Sequence, residues 1–184
     1  DVTENTRSGH DSSQLFAPKD NPVYSLDLYK QDMLEAGSGF EHSGGAFVEA
    51  VSVCHIGVTG DEFASACLAE TRWVSKQLSN SNNCFIIISS ASLEDVNAGK
   101  ILTQLAENPL VRGIRQIINY EPSWPRNEQL GDLLSNPRWC EGYAELKIYS
   151  LSYDFQLNPH QFIDAVRLVE KHPDTPVIIG HLGS

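Results

Sequence analysis

The chain has 184 residues, 41% hydrophobic and 20% charged, enough for one domain with a real core. Its net charge of −11 disfavours nucleic acid and anionic membranes as partners, and no apolar run approaches the ~20 residues that span a bilayer. The cysteines, Cys54, Cys67, Cys84 and Cys140, form no C-x-x-C pair, and no basic leader precedes an apolar run; reduced packing cysteines in a cytoplasmic protein are expected.

Residues 1–22 are polar and aperiodic and read as a tail or loop, with His10 solvated within it. Residues 23–184 read as one domain. Ser25 is placed to cap a helix with Leu26, Tyr29 and Met33 on its apolar side, and Gly37 ends it. The glycines at 37, 39, 44 and 45 follow a helix and precede a strand, the reverse of a phosphate-binding loop. Ala46 to Val53 is the first predicted strand. Glu49 shares parity there with Phe47, Val51, Val53 and His55; if that face turns inward, Glu49 is a buried carboxylate in need of a partner.

Thr59 or Asp61 caps the next predicted helix, with Phe63, Cys67, Val74 and Leu78 at helical spacing and Glu70 and Arg72 on solvated flanks. Cys84 to Ser90 reads as a strand buried on both sides, ending in Ser89 and Ser90, which more naturally cap a turn than face a ligand. Ser92 is expected to start a helix that runs to Asn108-Pro109. Val111 to Asn119 is the next strand, with Ile114 and Ile118 on one face and Gly113, Arg115, Ile117 and Asn119 on the other. An inward Arg115 is either half of an ion pair with a residue such as Glu49 or an anchor for a substrate oxygen. Leu130, Leu133 and Leu134 suggest a short helix, with Pro137 interrupting the pattern before Trp139.

The last stretch repeats one plan. A strand beginning near Ile148 alternates Ser152, Asp154, Gln156 and Asn158 with Tyr153, Phe155 and Leu157, and leads to His160. A helix follows with Phe162, Ile163, Val166 and Val169 on its predicted buried side, closed by Pro173. Val177-Ile178-Ile179 reads as a buried strand leading to His181. Two imidazoles thus follow two consecutive strands, on the side where α/β folds bind ligands.

Several segments in this order resemble the second amidohydrolase family, which includes sugar-lactone and pyrone-dicarboxylate lactonases. They are Phe47-Val-Glu-Ala50, Glu70-Thr-Arg-Trp73, Val111-Arg-Gly-Ile-Arg-Gln116, Asn158-Pro-His-Gln161 and Gly180-His-Leu-Gly183. The resemblance implies an α/β fold of the (β/α)8 TIM-barrel type, here incomplete, with its site at the carboxyl ends of the parallel strands. It further implies hydrolysis of a lactone or related cyclic ester or amide by activated water. His160 and His181 match the fifth- and sixth-strand histidines, which ligate a metal (Zn or Mn) or polarise the substrate carbonyl without one. Arg115 matches a fourth-strand arginine that holds a substrate oxygen, Glu49 a second-strand position, and Asn119 joins them on the substrate side.

Two parts of the family pattern are not matched. The first-strand His-x-His has no counterpart around Asp11-Ser-Ser-Gln-Leu-Phe16, and the late-strand aspartate that activates water has none before Ser184. The chain is therefore expected to be a fragment of a longer protein, or a variant poorly stable alone, its open edges covered by the remainder of a barrel or by a second copy. The partner expected is a small-molecule substrate. The alternative is a non-catalytic barrel remnant that binds a ligand or protein. An open doubly wound domain also suits the alternating strands and helices.

Overall fold

The computed structural model describes residues 24–37, 39, 41–49, 59–79, 81–123 and 131–183. The segment 1–22, the later part of the first predicted strand with Cys54 and His55, and Leu130 lie outside them. Five parallel strands form one sheet in chain order: β1 (Gly44–Val48), β2 (Cys84–Ser89), β3 (Val111–Ile114), β4 (Ser152–Phe155) and β5 (Val177–Ile179). Five α-helices are described: α1 (Leu26–Glu35), α2 (Gly60–Leu78), α3 (Ala98–Ala106), α4 (Pro137–Glu145) and α5 (Phe162–Lys171). The chain divides within β2 into two compact units, one ending at Ile87 and the other beginning at Ile88.

In the first unit the Ser25 hydroxyl accepts the Leu28 amide at 3.3 Å and caps α1 as its sequence predicts. Tyr29 Oη meets His42 Nε2 at 2.9 Å, Asn83 Nδ2 reaches the other ring nitrogen at 2.8 Å, and Phe85 packs against both rings. This polar and aromatic joint ties α1 to the start of β2. In α2 the predicted apolar positions Cys67, Val74 and Leu78 are buried, but so is Glu70. The expectation of a solvated Glu70 is corrected: it lies three residues after Cys67 and four before Val74, inside the same helical stripe. Cys84, expected to be a packing residue, is exposed at the outer end of β2.

The second unit is built around β4. Trp139 and Tyr143 of α4 are fully buried against Tyr153 and Phe155, with ring centroids 5.5–6.1 Å apart. That contact assigns the two faces of β4: Tyr153 and Phe155 look toward the helix, and Ser152 and Asp154 look the other way. Pro137, expected to interrupt a helix, instead opens α4 at its first turn. Its missing N–H costs nothing there, and Asn136 Oδ1 accepts the Arg138 and Trp139 amides at 3.0 and 3.4 Å. Gly142 lets α4 come close, since a Cβ there would stand 2.2 Å from the Leu93 carbonyl oxygen.

Other boundaries also shift. Residues 92–97 form turns stabilised by Asp95 Oδ1 accepting the Asn97 amide at 2.7 Å, so α3 begins at Ala98 rather than near Ser92. Ile148 belongs to a 3-10 turn over Leu146–Tyr149 and is exposed; Ser150 at φ 55° reverses the chain before β4. In α5 the buried residues are Ala165 and Leu168, while Ile163 and Val166 are exposed. In β5, Ile178 and Ile179 are 45% and 53% exposed, against the expectation of a buried strand. The reason is shared: β5 ends the sheet, so the surfaces beside it have a neighbour on one side among the described residues.

Candidate functional site

Gln116 sets the orientation of the residues just past β3. Its Oε1 accepts Trp139 Nε1 at 2.8 Å and the Leu93 amide at 3.1 Å, its Nε2 donates to Glu94 at 2.8 Å, and its carbonyl accepts Tyr153 Oη at 2.9 Å. Gln116 is therefore held on the helix side. Alternation then places Arg115 on the opposite, inner face, as predicted from the sequence. The Arg115 amide donates to the Ser89 carbonyl at 2.8 Å, so its backbone continues the sheet beyond β3.

Register brings β3 and β4 together on that face. Gly113 pairs with Ser152 and Ile114 with Tyr153, so Arg115 and Asp154 follow as neighbours. The approach is close: a Cβ on Gly113 would meet Ser152 Oγ at 2.2 Å and Ile88 Cδ1 at 3.0 Å. Asp154 is nine-tenths buried, and its Oδ1 is sealed from solvent without a hydrogen-bond partner. Burial raises its carboxyl above the ordinary aspartate range, and the Arg115 guanidinium pulls the other way. The sequence put Asp154 on the polar face of its strand but did not single it out. The available signal was its parity with Ser152 and its place one residue before the strand's end.

A second set of bonds fastens the loops after β3 and β4. Asn119 is buried and donates from Nδ2 to Asn158 Oδ1 at 3.2 Å, and Asn158 Nδ2 donates to the Tyr120 carbonyl at 2.8 Å. Gln161, 2% exposed, accepts the Tyr120 and Asn158 amides at 2.9 and 3.0 Å and donates to the Ile118 carbonyl at 3.0 Å. His160 sits inside this frame, exposed, in the 3-10 turn Pro159–Gln161. His181 is exposed in the turn after β5, with a left-handed φ of 50°. Arg115, Asn119, His160 and His181 thus all lie beyond the carboxyl ends of three consecutively paired strands. Glu49, 3% exposed, directly follows β1 in the first unit. Neither Gln116 nor Gln161 was read as important from the sequence, because a glutamine's role rests on partners more than 20 residues away.

The amidohydrolase family model Amidohydro_2 matches residues 45–184. This chain belongs to the amidohydrolase family. An uncharacterised protein, y4mH of Sinorhizobium fredii, is 28% identical over 136 residues, covering 72% of this chain and 44% of that protein. The crystal structure of an amidohydrolase from Burkholderia multivorans with bound HEPES superposes with a TM-score of 0.58 at 14% identity, over 91% of this chain and 48% of that one. This amidohydrolase chain therefore spans about half the length of the proteins it matches, and its fold is the α/β fold of an incomplete TIM-type barrel.

Amidohydrolases of this superfamily are generally metal-dependent. Among the described residues no group of three or more His, Cys, Asp or Glu side chains converges as a cation site requires. The two exposed histidines, His160 and His181, fall short of a ligand set, so the residues described do not by themselves fit a metal. Among the same residues no helix is long and apolar enough to cross a membrane.

Proposed function

We propose that this chain supplies the second to sixth strands of a barrel hydrolase that opens a lactone, or a related cyclic ester or amide, with activated water. The observation that carries this reading is the placement of Arg115, His160 and His181 beyond consecutive paired strands in an amidohydrolase chain. Arg115 would hold the carbonyl oxygen as it gains charge, a role that preorganised cations perform well in a partly buried site. His160 and His181 would polarise the same group or, as two donors among the described residues, share Zn or Mn with further ligands. Asn119 acts through Asn158 to position the His160 turn. The scattered free cysteines suit a cytoplasmic setting, and the exposed flank of β5 suits cover by the remainder of the barrel or by a second copy.

Turnover of a lactone panel by the full-length protein, with and without Zn²⁺ or Mn²⁺, tests this. Arg115→Ala, His160→Ala and His181→Ala are each expected to lower kcat/KM by about 100-fold or more. Undiminished turnover in either histidine variant would remove that residue from the site. A second reading, a binding module without catalysis, is favoured by the lack of a three-ligand cluster among the described residues. It predicts saturable binding of a lactone or its lactam analogue with no turnover under any metal.

A further inference from the structure

We propose that Asp154 is the proton donor to the leaving oxygen of the opened ring. This rests on the hydrolase reading above and adds a proton-handling group from the inner face of β4.

The position comes first. Asp154 stands one residue before the carboxyl end of β4, flanked by Arg115 on the β3 side and paired with Ile178 of β5. Arg115 is the charged group facing it from β3; its β5 neighbour Ile178 carries no charge, and Ser152 shares its face on β4. The chemistry follows from isolation. A sealed carboxylate oxygen without a donor costs several kcal/mol to keep ionised, roughly what an unpaired buried polar group costs. Holding a proton removes most of that cost, and the burial-driven rise in its proton affinity runs the same way. A carboxyl that holds its proton cannot take one from water, but it can give one. With Oδ1 enclosed, Oδ2 is the oxygen left to meet a molecule in the site. Once the proton has gone, the adjacent guanidinium stabilises the carboxylate left behind.

The step balances as follows. Water oxygen bonds to the ring carbonyl carbon, the π pair moves to the carbonyl oxygen, and one water proton passes to solvent base. The carbonyl then re-forms, the ring C–O bond breaks, and its electron pair takes the proton from Asp154 Oδ2. Asp154 regains a proton from solvent, and the product is the ring-opened hydroxy acid.

The test uses the full-length protein with two lactones, δ-valerolactone, which leaves as an alkoxide, and dihydrocoumarin, which leaves as a far less basic phenolate. For Asp154→Asn, kcat on δ-valerolactone is expected to fall about 100-fold, with KM within about twofold and the basic limb of its pH profile lost. On dihydrocoumarin the fall should be less than about threefold, because phenolate leaves without protonation. Equal loss on both lactones overturns the proposal and leaves the hydrolase reading intact. Wild-type protein inert toward both, with and without Zn²⁺ or Mn²⁺, overturns the hydrolase reading and the proposal with it. A separate readout needs no variant: the carbon-13 shift of the Asp154 carboxyl in wild-type protein should titrate above the ordinary value of about 3.9. Titration at or below that value overturns the proposal.

Discussion

β4 and β5 lie side by side, paired from Tyr153–Val177 to Phe155–Ile179, and their surroundings could hardly differ more. β4 has a strand on each side, aromatic rings on its helix face and a buried carboxyl on its inner face. β5 has one strand neighbour among the described residues, where both its last residues are about half exposed. The sequences alone suggest the opposite, since Val177-Ile178-Ile179 is the more apolar strand. Burial is a property of what lies alongside a strand, and hydrophobicity states only what the strand would accept. The polar residues of β4 lie on the face turned away from the packed helix. The isoleucines of β5 stand ready for cover that the described residues do not provide.

The largest effect should come from the packed side of β4. Trp139→Ala removes a fully buried ring and the bond to Gln116, and should cost about 3–5 kcal/mol in urea unfolding. A much smaller loss would mean that the aromatic cluster is not the centre of this unit. Gln161→Ala strands the Ile118 carbonyl and the Tyr120 and Asn158 amides; about 2–3 kcal/mol is expected. Amide exchange at Tyr120 should quicken with it, and an unchanged rate would show that the loop after β3 holds without that side chain.

Tyr143 gives a finer test of the same side. Its hydroxyl is buried without a partner, and burial pushes its pKa up to about 12. The folded state thus holds this proton more tightly than the unfolded chain. That stability is fully present below the unfolded value of about 10 and is lost as pH rises toward 12. Tyr143→Phe should leave neutral-pH stability within about 1 kcal/mol and flatten the decline in alkali. Asp154 behaves likewise at the acid end: with its pKa raised, its share of stability is full below about 3.9 and falls as pH rises through its folded value. The smallest effect belongs to β5. Ile179→Lys should change stability by about 0.5 kcal/mol or less, yet lower any self-association seen by sedimentation, because a charged edge resists pairing. A cost as large as that of Trp139→Ala would show β5 to be buried in solution and end the contrast.

How far the sequence could be read follows the same division. Alternation along Ser152–Phe155 identified both faces of β4, and parity placed Arg115 inward, because each rests on the two-residue period of a strand. The alternation of strands and helices, with His160 and His181 just past two consecutive strands, was legible too. What escaped was set by neighbours. Pro137 looks like a breaker until Asn136 is seen capping it, and Ile163 and Val166 look like a core stripe until α5 turns Ala165 and Leu168 inward. Glu70 looks solvated until its helix is placed. Gln116 and Gln161 carry no periodic signal at all, although between them they hold two loops and a helix in place.

The chain-order pairing of the strands also bears on how such a protein emerges from the ribosome. Each new strand docks beside the one just before it, so the nascent sheet grows at a single margin, one βα unit at a time. Every addition covers the previous margin and exposes the next. A translational pause just after β5 would therefore leave Ile178 and Ile179 uncovered, and chaperone engagement should peak at that length of nascent chain.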